Sequence, residues 1–181
     1  MDRVPAQILI KCTNFAALKH SKQRRKDREQ TPYINHPIGV AYILTEEADI
    51  TDLDVIQAAL LHDTVEDTNT TFEELEETFG SAVTNIVREV TDDKSLPKAE
   101  RKLQQIEHAP HSSPKAKLVK LADKLYNLRD LNRCTPNGWT ENRVQEYFQW
   151  SANVIKGLRG TNKKLECELD VLLKQRGVLE L

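Results

Sequence analysis

Any fold open to this chain must bury the run Ala58-Ala59-Leu60-Leu61 while presenting the ionisable residues that follow it at once, His62-Asp63 and then Glu66-Asp67. An apolar run of this kind belongs inside a protein, and His, Asp and Glu are stable there only beside partners. Read as a helix, the segment places Glu66 four positions after His62 and three after Asp63, so the three share one face and Asp67 flanks it. Two more residues complete a series, His36 upstream and Asp123 downstream. Imidazoles and carboxylates converging from separate segments are what a borderline-to-hard divalent ion such as Mn, Fe or Zn requires. His36, His62, Asp63 and Asp123 are therefore the candidate metal ligands. Glu66 and Asp67, one turn on, are candidates to orient or deprotonate a water beside the metal. Alone, a His-Asp pair is ordinary at a helix end, and Asp123 has Lys120 and Lys124 at hand as ion-pair partners. The ordered set carries the argument.

Helical signals dominate the rest of the chain. Ile8, Cys12, Phe15, Ala16 and Lys19 recur at three- and four-residue steps and predict a first helix that delivers the basic run Lys22 to Arg28 at or beyond its end. Pro37 suits the first turn of a second helix carrying Val40, Ile43 and Leu44, which puts His36 at a helix start. Thr51 or Asp52 caps the helix that runs to His62. Thr71 with Glu74 forms a capping box for a helix that Gly80 ends, and Ser113-Pro114 opens the helix bearing Asp123. Further helices are expected near 81–91, 97–108, 140–159 and 162–175. Strand alternation is absent, and so are repeats and low-complexity linkers. The expectation is an all-α, compact single domain over residues 1–181.

Composition narrows the class. A net charge of −2 argues against a general nucleic-acid or membrane binder, since a polyanion favours a basic partner. No segment approaches the ~20 apolar residues of a membrane span. Cys12, Cys134 and Cys167 are odd in number and lack Cys-x-x-Cys spacing, which fits reduced thiols and a cytoplasmic setting. No Gly-rich phosphate loop and no Ser-His-Asp nucleophile series is present. His20, His108 and His111 have no acidic partners in the series, and Glu73, Glu74, Glu76 and Glu77 read as a solvated helix face.

The order Tyr33-Ile34-Asn35-His36-Pro37, then Ala58 to Asp63 with Glu66-Asp67-Thr68, then Leu121-Ala122-Asp123-Lys124-Leu125-Tyr126-Asn127-Leu128-Arg129, resembles the hydrolase half of RelA/SpoT enzymes. Those are HD-domain metal-dependent phosphohydrolases. Together with Gln23-Arg24-Arg25-Lys26-Asp27 and the short length, the chain is most similar to the stand-alone animal branch of that family, without room for synthetase and regulatory domains. The resemblance implies manganese as the metal and guanosine tetraphosphate or pentaphosphate (ppGpp, pppGpp) as substrate, cleaved to release the 3′-pyrophosphate. It also implies removal of the 2′-phosphate of NADPH. It assigns Arg25 to the nucleotide base, Lys26 to phosphate or the metal-site carboxylates, and Asn127 to base or ribose. Arg143 and Tyr147, four residues apart, become a phosphate-and-stacking pair, although Tyr147 equally suits a core position beside Phe148. Two readings stay open for others: Trp139 either covers a base or closes a hydrophobic edge, and Lys98 and Arg101 either guide phosphates or belong to a turn and surface helix. Two alternatives stay open: an HD-domain nucleotidase of different substrate, which would release orthophosphate, and a non-catalytic nucleotide sensor, against which the presence of Glu66 and Asp67 argues.

Overall fold

The computed structural model describes residues 4–179. Helix α1 spans Pro5–Lys19, with its proline at the first position, where no backbone N–H is needed. The loop after it folds back on itself through a single β-bridge, Arg24 to Pro32, and the Arg25 N–H donates to the Thr31 carbonyl at 2.8 Å. Helix α2, Asn35–Tyr42, carries His36 in its first turn, as Pro37 predicts, and runs into a widened turn over Ile43–Glu47.

Helix α3, Leu53–Leu61, is the centre of the molecule: every residue from Val55 to Leu61 is buried, and it packs on α1, α2 and two helices that follow. Asp52 rather than Thr51 caps it, accepting from the Asp54 N–H at 2.9 Å. A single turn, α4 (Thr64–Asp67), precedes α5 (Phe72–Phe79) and α6 (Ser81–Val90). Thr71 caps α5, and Gly80, at φ 87°, makes the corner between α5 and α6 in a conformation other residues adopt only with strain. Helix α7 covers Lys98–His108. Helix α8, Pro114–Arg133, is capped by Ser113; α9 is Glu141–Leu158 and α10 is Lys163–Gln175. These bounds follow the expected ones to within about one residue, because caps and proline positions mark the ends.

Helix α8 is the second structural axis, touching α2, α3, α6, α9 and α10. Leu121, Leu125 and Leu128 fill the interior from it, and Leu165, Leu169 and Leu173 of α10 cover its far side at four-residue steps. One continuous apolar core results, and the all-α expectation holds. None of the described helices is long and apolar enough to cross a membrane.

One local expectation is corrected. The segment 58–67 is not one helix: α3 ends at Leu61, His62 and Asp63 form the turn, and α4 restarts at Thr64. Side chains cause the break. The His62 Nδ1 pairs with the Ala59 carbonyl at 2.7 Å and the Thr64 hydroxyl donates to the Leu61 carbonyl at 2.7 Å, taking acceptors at the end of the helix.

Candidate metal centre and adjoining clefts

Three elements aim donors at one point. His36 comes from the first turn of α2, His62 and Asp63 from the break after α3, and Asp123 from the middle of α8. The two Nε2 atoms are 3.2 Å apart. His36 Nε2 lies 3.1 Å from Asp123 Oδ1 and 3.4 Å from Asp63 Oδ2, and His62 Nε2 lies 3.6 Å and 3.1 Å from the same oxygens. Both histidines are almost fully buried. An ion about 2.1 Å from each donor sets neighbouring donors about 3.0–3.4 Å apart in octahedral or tetrahedral geometry, so these spacings fit a divalent cation. Among the described residues, His36, His62 and Asp123 form the cluster whose donor atoms are all mutually close. Asp63 joins it through its two histidine contacts.

The supporting bonds fix which atoms face inward. With His62 Nδ1 held by Ala59, its Nε2 is the nitrogen left for a ligand. Asp123 divides its oxygens: Oδ2 accepts from the buried Lys124 ammonium at 3.0 Å, while Oδ1 accepts from Asn127 Nδ2 at 2.7 Å and faces the histidines. The ion pair with Lys124 and the metal-like cluster are thus both real. Tyr33, whose role the sequence left unread, donates its hydroxyl to Asp63 Oδ2 at 2.7 Å and packs between His20 and His36. His20 is accordingly a buried packing residue at the end of α1.

Electrostatics follow from burial. Burial alone would raise the Asp63 carboxyl, but His62 and then His36 hold it well down. For Asp123, burial is likewise opposed and outweighed by Lys124, His36 and His62. Burial lowers His36. It also presses on His62, yet Asp63 and Asp123 reverse that and raise it, as befits a nitrogen held between two carboxylates. Glu66 differs from its acidic neighbours: burial, with added repulsion from Asp92, Asp63 and Asp67, pushes its carboxyl up to about 7, although the Asp92 N–H donates to Oε2 at 3.1 Å. Despite the helix break, Glu66 and Asp67 line the same small cleft as the ligands, a cavity of about 190 Å³. Lys94, from the loop after α6, forms an ion pair with Asp67 and lies 4.0 Å from Glu66 Oε1. Arg101 also stands 4.0 Å from that oxygen.

Beside this cleft lies a larger cavity of about 330 Å³, lined by Arg25, Lys26, Asn127, Trp139 and Tyr147 among others. Tyr33, Asp67, Asn127 and Tyr147 belong to both. Arg25 is committed to Asp130 at 2.8 Å and to Asn127 Oδ1 at 3.1 Å, and its guanidinium lies 5.7 Å from the rings of Tyr33 and of Tyr126. Asn127 thereby links Arg25 to Asp123. Lys26 is exposed and lines only the larger cavity; its carbonyl accepts from the Asn137 N–H, which pins the Trp139 loop. Arg143 stacks over Trp139 at 4.3 Å and lines neither cavity. Lys98 is exposed.

The HD-domain family pattern matches residues 12–149. Guanosine-3′,5′-bis(diphosphate) 3′-pyrophosphohydrolase MESH1 of Danio rerio is 70% identical over 171 residues, covering 94% of this chain and 95% of that protein. The Drosophila melanogaster protein of the same name is 56% identical over 179 residues, covering 99% of this chain and 100% of that one. A solved structure of a metazoan SpoT orthologue, said to hydrolyse ppGpp and to act in starvation responses, superposes with a TM-score of 0.95 at 56% identity, over 98% of this chain and 100% of its own. A cluster of two buried histidines and an α8 carboxylate, set in a helical fold that matches over 98% of the chain, makes this chain a member of the HD-domain family, of the metazoan SpoT-like type.

Proposed function

We propose that this chain is a metal-dependent 3′-pyrophosphohydrolase of guanosine tetraphosphate and pentaphosphate, with residues 1–181 acting as one catalytic unit. The observation that carries the reading is the convergence of His36, His62 and Asp123 beneath Glu66, a carboxyl titrating near neutrality, beside a cavity of nucleoside size. Whole-length similarity to proteins named for this activity supports it.

His36, His62, Asp63 and Asp123 would hold the divalent ion, manganese in our reading, which supplies Lewis acidity at a phosphoryl oxygen and depresses the pKa of water. Glu66 takes the proton of the attacking water at Oε1, because Oε2 is occupied by the Asp92 N–H. Asp67, oriented by Lys94, relays it. The P–O bond to the ribose 3′ oxygen breaks, that oxygen collects a proton, and pyrophosphate departs with the oxygen of the water. Arg25, held flat by Asp130 and Asn127, offers its planar face to the base, and Tyr147 offers a ring at the junction of the two cavities. Asn127 reads the ribose, Lys26 meets phosphate at the rim, and Arg143 supports Trp139 as a cover.

The same juxtaposition of cleft and nucleoside cavity extends the proposal to the 2′-phosphate of NADPH, a neighbouring hydroxyl on a purine ribose. Three unpaired cysteines support a reducing, cytoplasmic setting. A hydrolysis panel with manganese, containing guanosine tetraphosphate, NADPH and common nucleotides, tests both substrates by product identity. Pyrophosphate from the first and orthophosphate plus NADH from the second are expected; orthophosphate from common nucleotides alone would shift the assignment to a different HD-domain nucleotidase.

A further inference from the structure

The metal-side cleft opens in two directions. Away from the nucleoside cavity it meets a third cavity, about 420 Å³, formed between α6, α7 and α8 and including Arg88, His108 and His111. Asp92, Gln105 and Lys120 line both spaces. Lys120 sits one turn before Asp123 and Lys124 on α8 and is half-buried. Two lysines line the cleft, and they differ: Lys124 is paired with Asp123, whereas Lys120 has no hydrogen bond or ion pair among the described residues. Of the other cations around the clefts, Lys94 is committed to Asp67 and Arg25 to Asp130, while Lys26 lines the nucleoside cavity and Arg88 the third, neither of them the metal-side cleft. An unpaired ammonium in a half-buried wall is unfavourable by itself, and burial with the Lys124 charge depresses its pKa. An anion beside it removes that penalty.

We propose that Lys120 forms a subsite for the distal phosphate of the diphosphate being removed, on the side of the cleft opposite the nucleoside, and so selects a pyrophosphoryl ester over a monophosphoryl one. The inference rests on the substrate class proposed above. A compact ammonium with three donors suits a terminal phosphate, which carries its charge at the end of the chain. The subsite is confined to the junction of the two cavities. Farther out Glu89 and Asp93 make the third cavity less attractive to anions and accept from the Ser113 N–H and the Ser95 N–H, while Asp92, at the junction itself, already accepts from the Gln105 amide. Pyrophosphate is therefore gripped at one end and released outward once the ribose bond is broken.

Calorimetric binding of inorganic pyrophosphate and of orthophosphate to manganese-saturated protein tests this without turnover, using wild type, Lys120→Gln and Lys120→Arg. Wild type should prefer pyrophosphate. Lys120→Gln should lose about 10- to 100-fold for pyrophosphate, the worth of a charge-assisted hydrogen bond, and less than about 3-fold for orthophosphate, with Lys120→Arg between. In kinetics, the same variant should lose kcat/KM for guanosine tetraphosphate and not for guanosine 5′-diphosphate carrying a single 3′-phosphate. In unmutated protein, pyrophosphate should shield Lys120 from an amine-reactive label read by mass spectrometry, an arm independent of how variants fold. Equal losses for both anions, or no shielding, overturn the subsite. A wild-type protein inert toward guanosine tetraphosphate, yet binding pyrophosphate through Lys120, would overturn the substrate and leave the subsite standing.

Discussion

The Tyr33 hydroxyl donates to Asp63 Oδ2 at 2.7 Å, and this bond ties the loop before α2 to the turn that supplies two of the four candidate ligands. A group that hydrogen-bonds and orients a ligand commonly governs metal affinity by about 10- to 100-fold. Tyr33→Phe keeps the ring against His20 and His36 and deletes only the hydroxyl, so manganese affinity should fall by that factor with helical content unchanged. Titration of the metal-free protein reads it, and an unaltered isotherm would remove Tyr33 from the site.

Glu66→Gln separates chemistry from ligation. The amide preserves an acceptor for the Asp92 N–H but cannot take a proton, so hydrolysis should slow by ~10²–10⁴-fold while bound metal stays at wild-type stoichiometry. Loss of the metal along with activity would instead put Glu66 among the ligands.

The same substitution has a pH signature in chelator-treated protein. Folding raises the Glu66 carboxyl from its ordinary 4.5 to about 7, so the folded state binds more protons than the unfolded one between those values. Its contribution to stability is whole below pH 4.5 and is lost as pH rises through 7, on the order of 3 kcal/mol in all. Relative to wild type, Glu66→Gln should therefore gain stability progressively from pH 4.5 to 8 in denaturant melts. A difference that stays flat with pH contradicts the burial argument.

Gly39 bears on the site although it touches no ligand. A methyl group there would lie 2.1 Å from Tyr126 Cε2, and that ring meets His36 edge-on with centroids 4.8 Å apart. Gly39→Ala must push Tyr126 away from α2, at about 1–3 kcal/mol, and release His36 from its ring contact. Lower thermal stability and weaker manganese binding are expected together. Adding Tyr126→Leu should recover part of both, and strict additivity in that double-mutant cycle would deny the contact its role.

The helix ends were legible because their signals are local: the Asp52, Thr71 and Ser113 caps and the Pro37 position each act within a turn. The convergence of His36, His62, Asp63 and Asp123 was legible from chemistry, since buried ionisable residues need partners. What escaped depends on side chains meeting across the fold. The break after Leu61 comes from His62 and Thr64 capturing carbonyls, which a reading of spacing treats as continuous helix. The commitment of Arg25 to Asp130, more than a hundred positions away, and the freedom of Lys120 beside a paired Lys124 are tertiary facts. Tyr33 belongs to the segment Tyr33-Ile34-Asn35-His36-Pro37, but nothing in one sequence says which acid its hydroxyl finds.

The donors of the candidate centre lie far apart along the backbone: 26 positions separate His36 from His62, and roughly 60 more lead to Asp123. A cation gripped by all of them works as a removable staple, closing two long loops at once. Its loss frees α2, the turn after α3 and α8 from one another at once, so removing the ion should loosen all three together rather than fray any one helix. At a free metal concentration of about 100 times its dissociation constant such a staple adds about 2.7 kcal/mol. The availability of the ion in a cell would then set how long this polypeptide survives proteolysis as well as how fast it turns over.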